Sequence, residues 1–293
     1  MPLQGSGAIS INQIRTELAS GSYSLRTLSA AAGKSTPDAM SEFYGYSGFP
    51  SGLVAGYNSA SYSGSGSTWN DISGNARHMS LDNPSWNSTY GYFNSSSNTD
   101  FQIPGSTGLY NNFGSGSPFT WVLRASWLTT AQDLVGTFWS EDSSKNFLVG
   151  MWYPHTGSNH APRVDSCCTY RASWNNGEGA SNTGAAPSQA SFDWTGTCTV
   201  PTYIVTKDTA DVFRFYGING NSAYNAPTLL WTSAAFSDWG IGNTSQSIHV
   251  MCRYQGSYYS IARLFAAYMF NRVISTAEMT QIHLNPYYTA DAC

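Results

Sequence analysis

Charged residues are scarce in this sequence. Asp, Glu, Lys and Arg make up 10% of its 293 residues, against about 25% in ordinary soluble proteins. The formal net charge is −4, and Lys34, Lys145 and Lys207 are the only lysines. A protein that binds nucleic acid neutralises phosphates with a basic patch or stripe. The sequence contains no such stripe, so we do not expect it to bind nucleic acid.

Long apolar runs are absent as well. No run approaches the ~20 residues of a membrane-spanning helix, and the N-terminus has neither the basic stretch nor the apolar core of a secretory signal. The five cysteines, an odd number, form no C-x-x-C pair. We therefore expect a protein made in the cytoplasm, with free thiols, no zinc site and no membrane insertion.

Motifs that carry catalysis are missing too. The sequence has no G-x-S-x-G, no G-x-G-x-x-G, no P-loop and no H-E-x-x-H. Its close acidic pairs, Glu141 with Asp142 and Asp208 with Asp211, fall on predicted turns. Adjacent residues of a strand point to opposite faces, so Glu141 and Asp142 could not cooperate there. We predict a chain that is not an enzyme, with a polysaccharide hydrolase as a minor alternative.

What the sequence has in abundance favours β-structure. Aromatic residues make up 15% of it, and 28 glycines supply turns. Alternating segments predict strands bounded by turn residues; they are Leu53–Tyr57, Phe119–Leu128, Leu134–Trp139, Asn146–Tyr153, Tyr203–Thr206 and Val212–Ile218. In Phe119–Leu128 the apolar set is predicted to face the core, while Thr120, Arg124 and Ser126 point away.

The stretch from Ile261 to Asn285 predicts a closing unit. Both alternating sets of Ile261–Phe270 are largely apolar, which is typical of a strand covered on both faces. A short helix follows, with Ser275 and Glu278 as a capping box and Met279 and Ile282 on one face. We expect this helix to cover the edge of the sheet.

The first 47 residues predict three short helices. Their start signals are Ser10, Ser24 and the Thr36–Pro37 pair. Each helix spans about two turns, which is too short to be stable alone. Their apolar residues therefore need a surface to pack on, and we predict that they dock on a partner; the predicted docking residues are Ile11, Ile14, Leu18, Leu25, Leu28, Met40, Phe43 and Tyr44. An ordinary helical cap folded onto the rest of the chain is the alternative.

Two distant motifs resemble those of a known family. The run Asn271, Arg272, Val273, Ile274, Ser275, Ala277 and Glu278, together with Gly56–Asn75, resembles the closing and opening motifs of laminin-G-like, concanavalin A-like jelly-roll domains in phage tail and bacterial surface proteins. Ile9–Glu17 and Ser41–Gly45 are similar to N-terminal segments of bacteriophage virion proteins. The resemblance implies a mainly β fold: a two-sheet antiparallel jelly-roll sandwich with a small N-terminal α-helical anchoring segment.

These observations predict the organisation of the chain. Residues 1–47 are the anchor, 48–52 a linker, 53–288 the sandwich and 289–293 a tail. A long loop insert at 154–201, without regular structure, departs from the family pattern. Loops of that length are usually functional or mobile.

Aromatic side chains on and beside the insert are the predicted contacts to a host receptor. They are Trp152, Tyr153, Trp174 and Trp194, and exposed aromatic rings suit sugar stacking or a protein contact. An aromatic-stapled loop or a subunit contact is the alternative. No cofactor is expected, although some relatives bind calcium, which makes Asp71 and Asp100 weak metal candidates beside a tight-turn interpretation.

The resemblance implies a non-enzymatic bacteriophage structural protein, made in the host cytoplasm and located in the virion. Residues 1–47 would contact other virion proteins of the tail or baseplate. The sandwich, as a homo-oligomer such as a trimer, would bind a host surface glycan or protein. A capsid decoration or cement protein with no host ligand is the alternative.

Overall fold

The structure is a computed structural model, which describes residues 3–4, 6–18, 21–32, 34, 36–44, 49–94, 99–127, 134–140, 146–152, 161–167, 180–183, 200–218, 226–235, 247–250, 252–253, 258–259 and 262–283. The α-helices among them are α1 Ile11–Glu17, α2 Leu25–Ala31 and α3 Thr276–His283. Short 3-10 turns lie at Met40–Phe43, Ser59–Ser61, Gly105–Thr107 and Leu109–Asn112. The strands are β1 Leu53–Tyr57, β2 Thr68–Trp69, β3 Met79–Asp82, β4 Ser85–Asn87, β5 Tyr92–Asn94, β6 Asp100–Ile103, β7 Phe119–Trp127, β8 Leu134–Ser140, β9 Asn146–Trp152, β10 Ala161–Cys167, β11 Ala180–Thr183, β12 Thr202–Lys207, β13 Val212–Ile218, β14 Thr228–Ala235, β15 Ile248–Val250, β16 Cys252–Arg253, β17 Tyr258–Tyr259 and β18 Ala262–Phe270.

Two large antiparallel sheets form the body of the molecule. Sheet A has the order β14-β13-β12-β7-β18-β5-β4, with β1 also paired to β18, and sheet B has the order β11-β10-β9-β8-β15-β6-β3-β2. Strands β16 and β17 form a separate ribbon. The predicted fold class, mainly β with two antiparallel sheets and few helices, is confirmed, and the strand order is compatible with a jelly roll.

The main core lies between the two sheets. Strand β7 contributes Phe119, Trp121, Leu123 and Ala125 from sheet A, as its alternation predicts. Sheet B contributes its own inward residues, which are Trp69, Met79, Leu81, Phe101, Ile103, Ile248 and Val250. Full burial of a large apolar side chain contributes roughly 1.5–3 kcal/mol, so this layer is the main source of stability.

Strand β18 lies inside sheet A and has a neighbour on each side. It pairs with β7 on one side and with β1 and β5 on the other. All residues from Leu264 to Phe270 are buried, which confirms the predicted strand covered on both faces. Phe265, Tyr268, Met279 and Ile282 belong to a second buried cluster, formed by the outward face of sheet A and α3.

The position of α3 corrects one prediction. The helix covers the outward face of sheet A, because its apolar residues cluster with those of β7, β12 and β18 rather than at an edge strand. Thr120 and Arg124 of β7 point away from the main core, as predicted, and both are buried on the outward face of sheet A. The Thr120 hydroxyl donates to the Arg272 carbonyl, and Arg124 donates to the His283 carbonyl. An antiparallel sheet can leave one face in water, yet this one carries apolar residues on both faces and needs a cover.

The closing motif has a clear structural role. The predicted capping box is confirmed: the Glu278 Oε2 atom accepts a bond of 2.7 Å from the Ser275 N–H, and the Glu278 N–H donates to the Ser275 hydroxyl at 3.3 Å. Arg272 pairs with Glu278 and also donates from Nε to the Ser51 carbonyl at 2.8 Å. The hydrogen bond from Arg272 lowers the pKa of Glu278 to about 2, because its effect outweighs that of burial, which raises the pKa. This motif therefore ties the start of the sandwich to its end.

A buried polar network lies where α3 ends. Arg124 donates to the His283 carbonyl at 2.8 Å, and the His283 Nδ1 atom lies 2.8 Å from the Thr202 hydroxyl. Burial, with a smaller contribution from the Arg124 charge, lowers the pKa of His283 to about 4. Burial likewise lowers the pKa of Arg124 to about 10, against the opposing effect of Tyr268. His283 is therefore neutral in the folded protein near pH 7.

The N-terminal helices pack mainly on one another. Leu3, Ile14, Leu28 and Phe43 form a buried cluster of their own, separate from the two clusters of the sandwich. The predicted starts at Ser10 and Ser24 are confirmed, since the Gln13 and Thr27 amides donate to their hydroxyls. The third predicted helix is a 3-10 turn.

The region 154–201 contains regular structure, which corrects the prediction of an unstructured loop insert. Strand β10 pairs with β9 over seven residues, and β11 pairs with β10, so both extend sheet B. Sequence periodicity missed them because this region is poor in aliphatic residues. Among the described residues, no helix is both long and apolar enough to cross a membrane.

Candidate ligand-binding face

Sheet B has one face that looks away from the core, and the described strands β3, β6 and β15 fill it with polar side chains. Burial alternates along β3 and β6, with Met79, Leu81, Phe101 and Ile103 inward. The residues between them face outward together with the central residue of β15, and this set, the polar face, consists of Ser80, Asp82, Asp100, Gln102 and His249.

Strand register places these side chains beside one another. Ser80 pairs with Gln102, Gln102 pairs with His249, and Asp82 pairs with Asp100. Residues directly opposite one another in antiparallel strands have Cβ atoms ~4.5–5.5 Å apart. The five polar groups therefore form a continuous patch.

Asp100 and His249 form the centre of the patch. The His249 Nδ1 atom lies 2.9 and 3.1 Å from the two Asp100 carboxylate oxygens. A carboxylate only accepts hydrogen bonds, so Nδ1 carries the proton. This leaves the His249 Nε2 atom to accept a hydrogen bond when the ring is neutral and to donate one when it is protonated. The pair thus presents an oriented polar group on the sheet.

Asp82 faces Asp100 across two neighbouring strands. Like charges directly opposite one another destabilise a sheet. A sequence that keeps such a pair violates a local rule of stability, and such violations concentrate at functional sites. The pair therefore marks this end of the polar face as a candidate site.

The next strand extends the face with an aromatic residue position. Trp139 of β8 is the register partner of His249. The backbone register therefore places position 139 of β8 beside position 249 of β15.

The structure does not test the predicted aromatic receptor contacts. Trp152 ends β9, where its register partners are Leu134 and Ala161. Tyr153, Trp174 and Trp194 lie outside the described residues. Their role stays a prediction.

The two weak metal candidates have other partners. Asp71 accepts bonds from the Gly56 and Ser73 amides at 2.9 Å each and from the Arg77 amide at 3.0 Å, as the tight-turn interpretation predicts. Asp100 bonds to His249. In the part of the chain that the structure describes, no three His, Cys, Asp or Glu side chains form a group that could hold a metal ion.

Asp208 and Asp211, the described acidic candidates for a hydrolase site, stabilise the hairpin between β12 and β13. Asp208 pairs with Arg214 at 2.8 Å, and Asp211 pairs with the buried Lys207. The Ser115 hydroxyl donates to Asp211 at 2.9 Å. Glu141 and Asp142 lie outside the described residues. Asp208 and Asp211 are therefore structural.

The predicted docking residues divide into two groups. Ile14, Leu28 and Phe43 have no exposed surface and hold the N-terminal segment together, so they cannot present a docking face. The partly buried or exposed members are Ile11, Leu18, Leu25, Met40 and Tyr44. Tyr44 is also tied to the segment, because its hydroxyl donates to the Gly7 carbonyl at 2.6 Å.

Sequence reasoning missed most of the polar face. His249, Gln102 and Asp82 lie on strands of three or four residues, which are too short to show a period. The alternation of polar and apolar residues in Asp100–Ile103 could have indicated an outward-facing Asp100 and Gln102. The position of His249 beside them follows only from the strand order, which places β15 next to β6.

Comparison with known proteins addresses the fold. No protein-family model matches the chain, and no curated protein sequence matches it. Among solved structures, it is similar to Trypanosoma rangeli sialidase in complex with 2,3-difluorosialic acid, at 13% identity and a TM-score of 0.53, over 87% of this chain and 36% of the sialidase chain. A sialidase mutant from the same organism, which displays trans-sialidase activity, gives 13% identity and a TM-score of 0.50, over 82% of this chain and 34% of the other.

The chain thus spans about a third of the length of the sialidase chains that it matches. At this identity the likeness concerns the fold alone. It nevertheless corrects the prediction that the chain is not an enzyme, because structures that share its fold belong to glycoside hydrolases. The absence of common catalytic motifs from the sequence is therefore not evidence that the chain lacks enzymatic activity.

Proposed function

We propose that the polar face of sheet B binds carbohydrate. The observation that carries the proposal is the oriented Asp100–His249 pair, flanked in register by Gln102 on one strand and Trp139 on another. Sugars present hydroxyl groups to planar amide, carboxylate and imidazole groups, and their apolar faces stack on aromatic rings. The shared fold with a sialidase, whose structure holds a sugar derivative, supports carbohydrate as the general class of ligand.

A glycan-binding measurement tests this proposal. We expect the full chain to bind one or more oligosaccharides of an array, and Gln102→Ala, His249→Ala and Trp139→Ala each to weaken that binding about ten-fold, the effect of one good polar or stacking contact. Thr232→Ala is the matched control, because Thr232 is an exposed polar residue on a strand of sheet A. Binding that survives all three substitutions would place the ligand elsewhere.

Hydrolysis at the same face is a second candidate, favoured by Asp82 facing Asp100. Retaining glycosidases hold two carboxyl groups ~5–5.5 Å apart, a separation that register partners can reach. Release of reducing ends from a bound polysaccharide, abolished by both Asp82→Asn and Asp100→Asn, would support catalysis. Release that both variants retain would exclude these carboxylates.

We also propose that residues 1–47 attach the sandwich to a bacteriophage particle, as the resemblance of Ile9–Glu17 and Ser41–Gly45 implies. The separate core of this segment supports the proposal, since its buried residues cluster with one another rather than with the sandwich. Deletion of residues 1–47 should leave a folded sandwich that no longer incorporates into particles. Copy number per particle distinguishes a tail protein from a head decoration protein, which is far more numerous.

A further inference from the structure

The end of the polar face formed by Asp82, Asp100 and His249 is rich in hydrogen-bond acceptors. Both carboxylates only accept hydrogen bonds, and Asp100 holds the proton of His249 on Nδ1, so the Nε2 atom of the neutral ring accepts as well. A ligand that fits this end must therefore donate. Sugar hydroxyls donate, whereas the carboxylate of an acidic sugar or a sulfate ester only accepts.

The distribution of basic residues also disfavours an acidic ligand at this end of the polar face. Strands β2, β3, β6 and β15 contain no lysine or arginine. Arg163, on β10, lies four strands from β6 in the sheet order, which is ~19 Å at the usual strand spacing. That distance exceeds the Debye length of ~8 Å at physiological salt. Arg253 is on β16, which pairs with β17 and contacts β8, two strands from β6 in the sheet order.

We infer that the polar face selects neutral, hydroxyl-rich sugars and excludes acidic ones, with Asp82 as the residue that sets this preference. The inference rests on the proposed carbohydrate-binding function and names its ligand class. Asp82 is the exposed member of the carboxylate pair, whereas Asp100 is engaged by His249. An anionic group placed at this end would meet Asp82 directly, and strands β2, β3, β6 and β15 supply no lysine or arginine to offset the repulsion.

The test compares neutral oligosaccharides of hexoses with the same oligosaccharides carrying sialic acid or sulfate, on one array and at physiological salt. Wild-type protein should bind the neutral forms at least about ten-fold more tightly, because two like charges a few ångströms apart repel strongly near a protein surface. Asp82→Asn should reduce the ratio of the affinity for neutral forms to the affinity for acidic forms. Asp82→Lys should reduce this ratio further or bring it below one. Thr232→Lys adds one positive charge on sheet A, the same change of net charge as Asp82→Asn, and should leave the ratio unchanged.

The outcomes separate the two proposals. Wild-type binding that is equal for neutral and acidic forms, or tighter for acidic forms, would overturn the inference while leaving carbohydrate binding intact. A ratio that Asp82→Lys leaves unchanged, with the variant as thermally stable as the wild type, would overturn the role of Asp82. Absence of binding to every glycan would overturn the proposed function and the inference with it.

Discussion

The two sheets of this protein treat their outward faces in opposite ways. The outward face of sheet A carries Val122, Ile204, Phe265 and Tyr268, and all four are buried in a cluster that includes Met279 and Ile282 of α3. The outward face of sheet B, over the described strands β3, β6 and β15, carries the polar face. One sandwich thus has an outward face that serves stability and another that carries polar side chains, of which Ser80 and Asp82 are exposed.

The difference shows that the polarity of the outward-facing side chains decides whether a sheet needs a covering layer. An apolar outward face must be covered, so sheet A requires a helix, a capping box and a buried polar network at the helix end. A polar outward face requires no cover, because antiparallel sheets tolerate water on one side. Substitutions should therefore cost stability on the first face and ligand binding on the second.

Ile282→Ala should produce the largest effect. Ile282 is the α3 residue buried against sheet A in the cluster that covers its outward face, and truncation of a buried isoleucine typically costs about 2–5 kcal/mol. Urea unfolding should show this loss in the free energy of unfolding. Val273→Ala is the control, since Val273 is 39% exposed and should cost little. Equal losses for both variants would mean that α3 does not seal the face.

Acid should weaken the same face through His283. The folded pKa of about 4 lies below the ordinary value of 6.5, so between these values the unfolded chain binds a proton that the folded chain does not. Stability is therefore complete above about pH 6.5 and falls as pH drops toward 4, by on the order of 3 kcal/mol. His283→Asn should flatten this part of the pH profile of unfolding. A variant profile that still falls as steeply as the wild type would assign the acid sensitivity to other groups.

The covered face was also the more predictable one. Its closing strand and capped helix are local patterns of apolar spacing and start signals, written in consecutive residues such as Ser275 and Glu278. The face that α3 covers could not be predicted, because that depends on which strands flank β18. The polar face depends on long-range pairing: His249 and Asp100 are 149 residues apart, and short strands carry no period. The docking prediction for Ile14, Leu28 and Phe43 failed because three short helices can share one small core.

Glu278→Ala should have an intermediate effect. The substitution removes the capping box and the partner of Arg272 together, and a lost cap costs about 0.5–2 kcal/mol. The Arg272 hydrogen bond lowers the pKa of Glu278 to about 2, so its contribution is present above pH ~4.5 and disappears as pH falls toward 2. Thermal unfolding at pH 7 measures the loss, with Ala277→Gln on the exposed side of α3 as the control. If both variants unfold at the same temperature, the cap does not stabilise the helix.

Gln102→Ala should have the smallest effect on stability, and it tests whether the outward face of sheet B differs from the covered outward face of sheet A. Gln102 lies on the polar face between Ser80 and His249, and surface substitutions usually change the free energy of unfolding by less than about 0.5 kcal/mol. Its neighbour Ile103 points into the core and is 1% exposed, so Ile103→Ala on the same strand should cost about 2–5 kcal/mol. Urea unfolding of the two variants compares both sides of one strand. A loss for Gln102→Ala as large as that for Ile103→Ala would mean that the polar face is covered like its counterpart on sheet A, and a covered face could not bind a sugar.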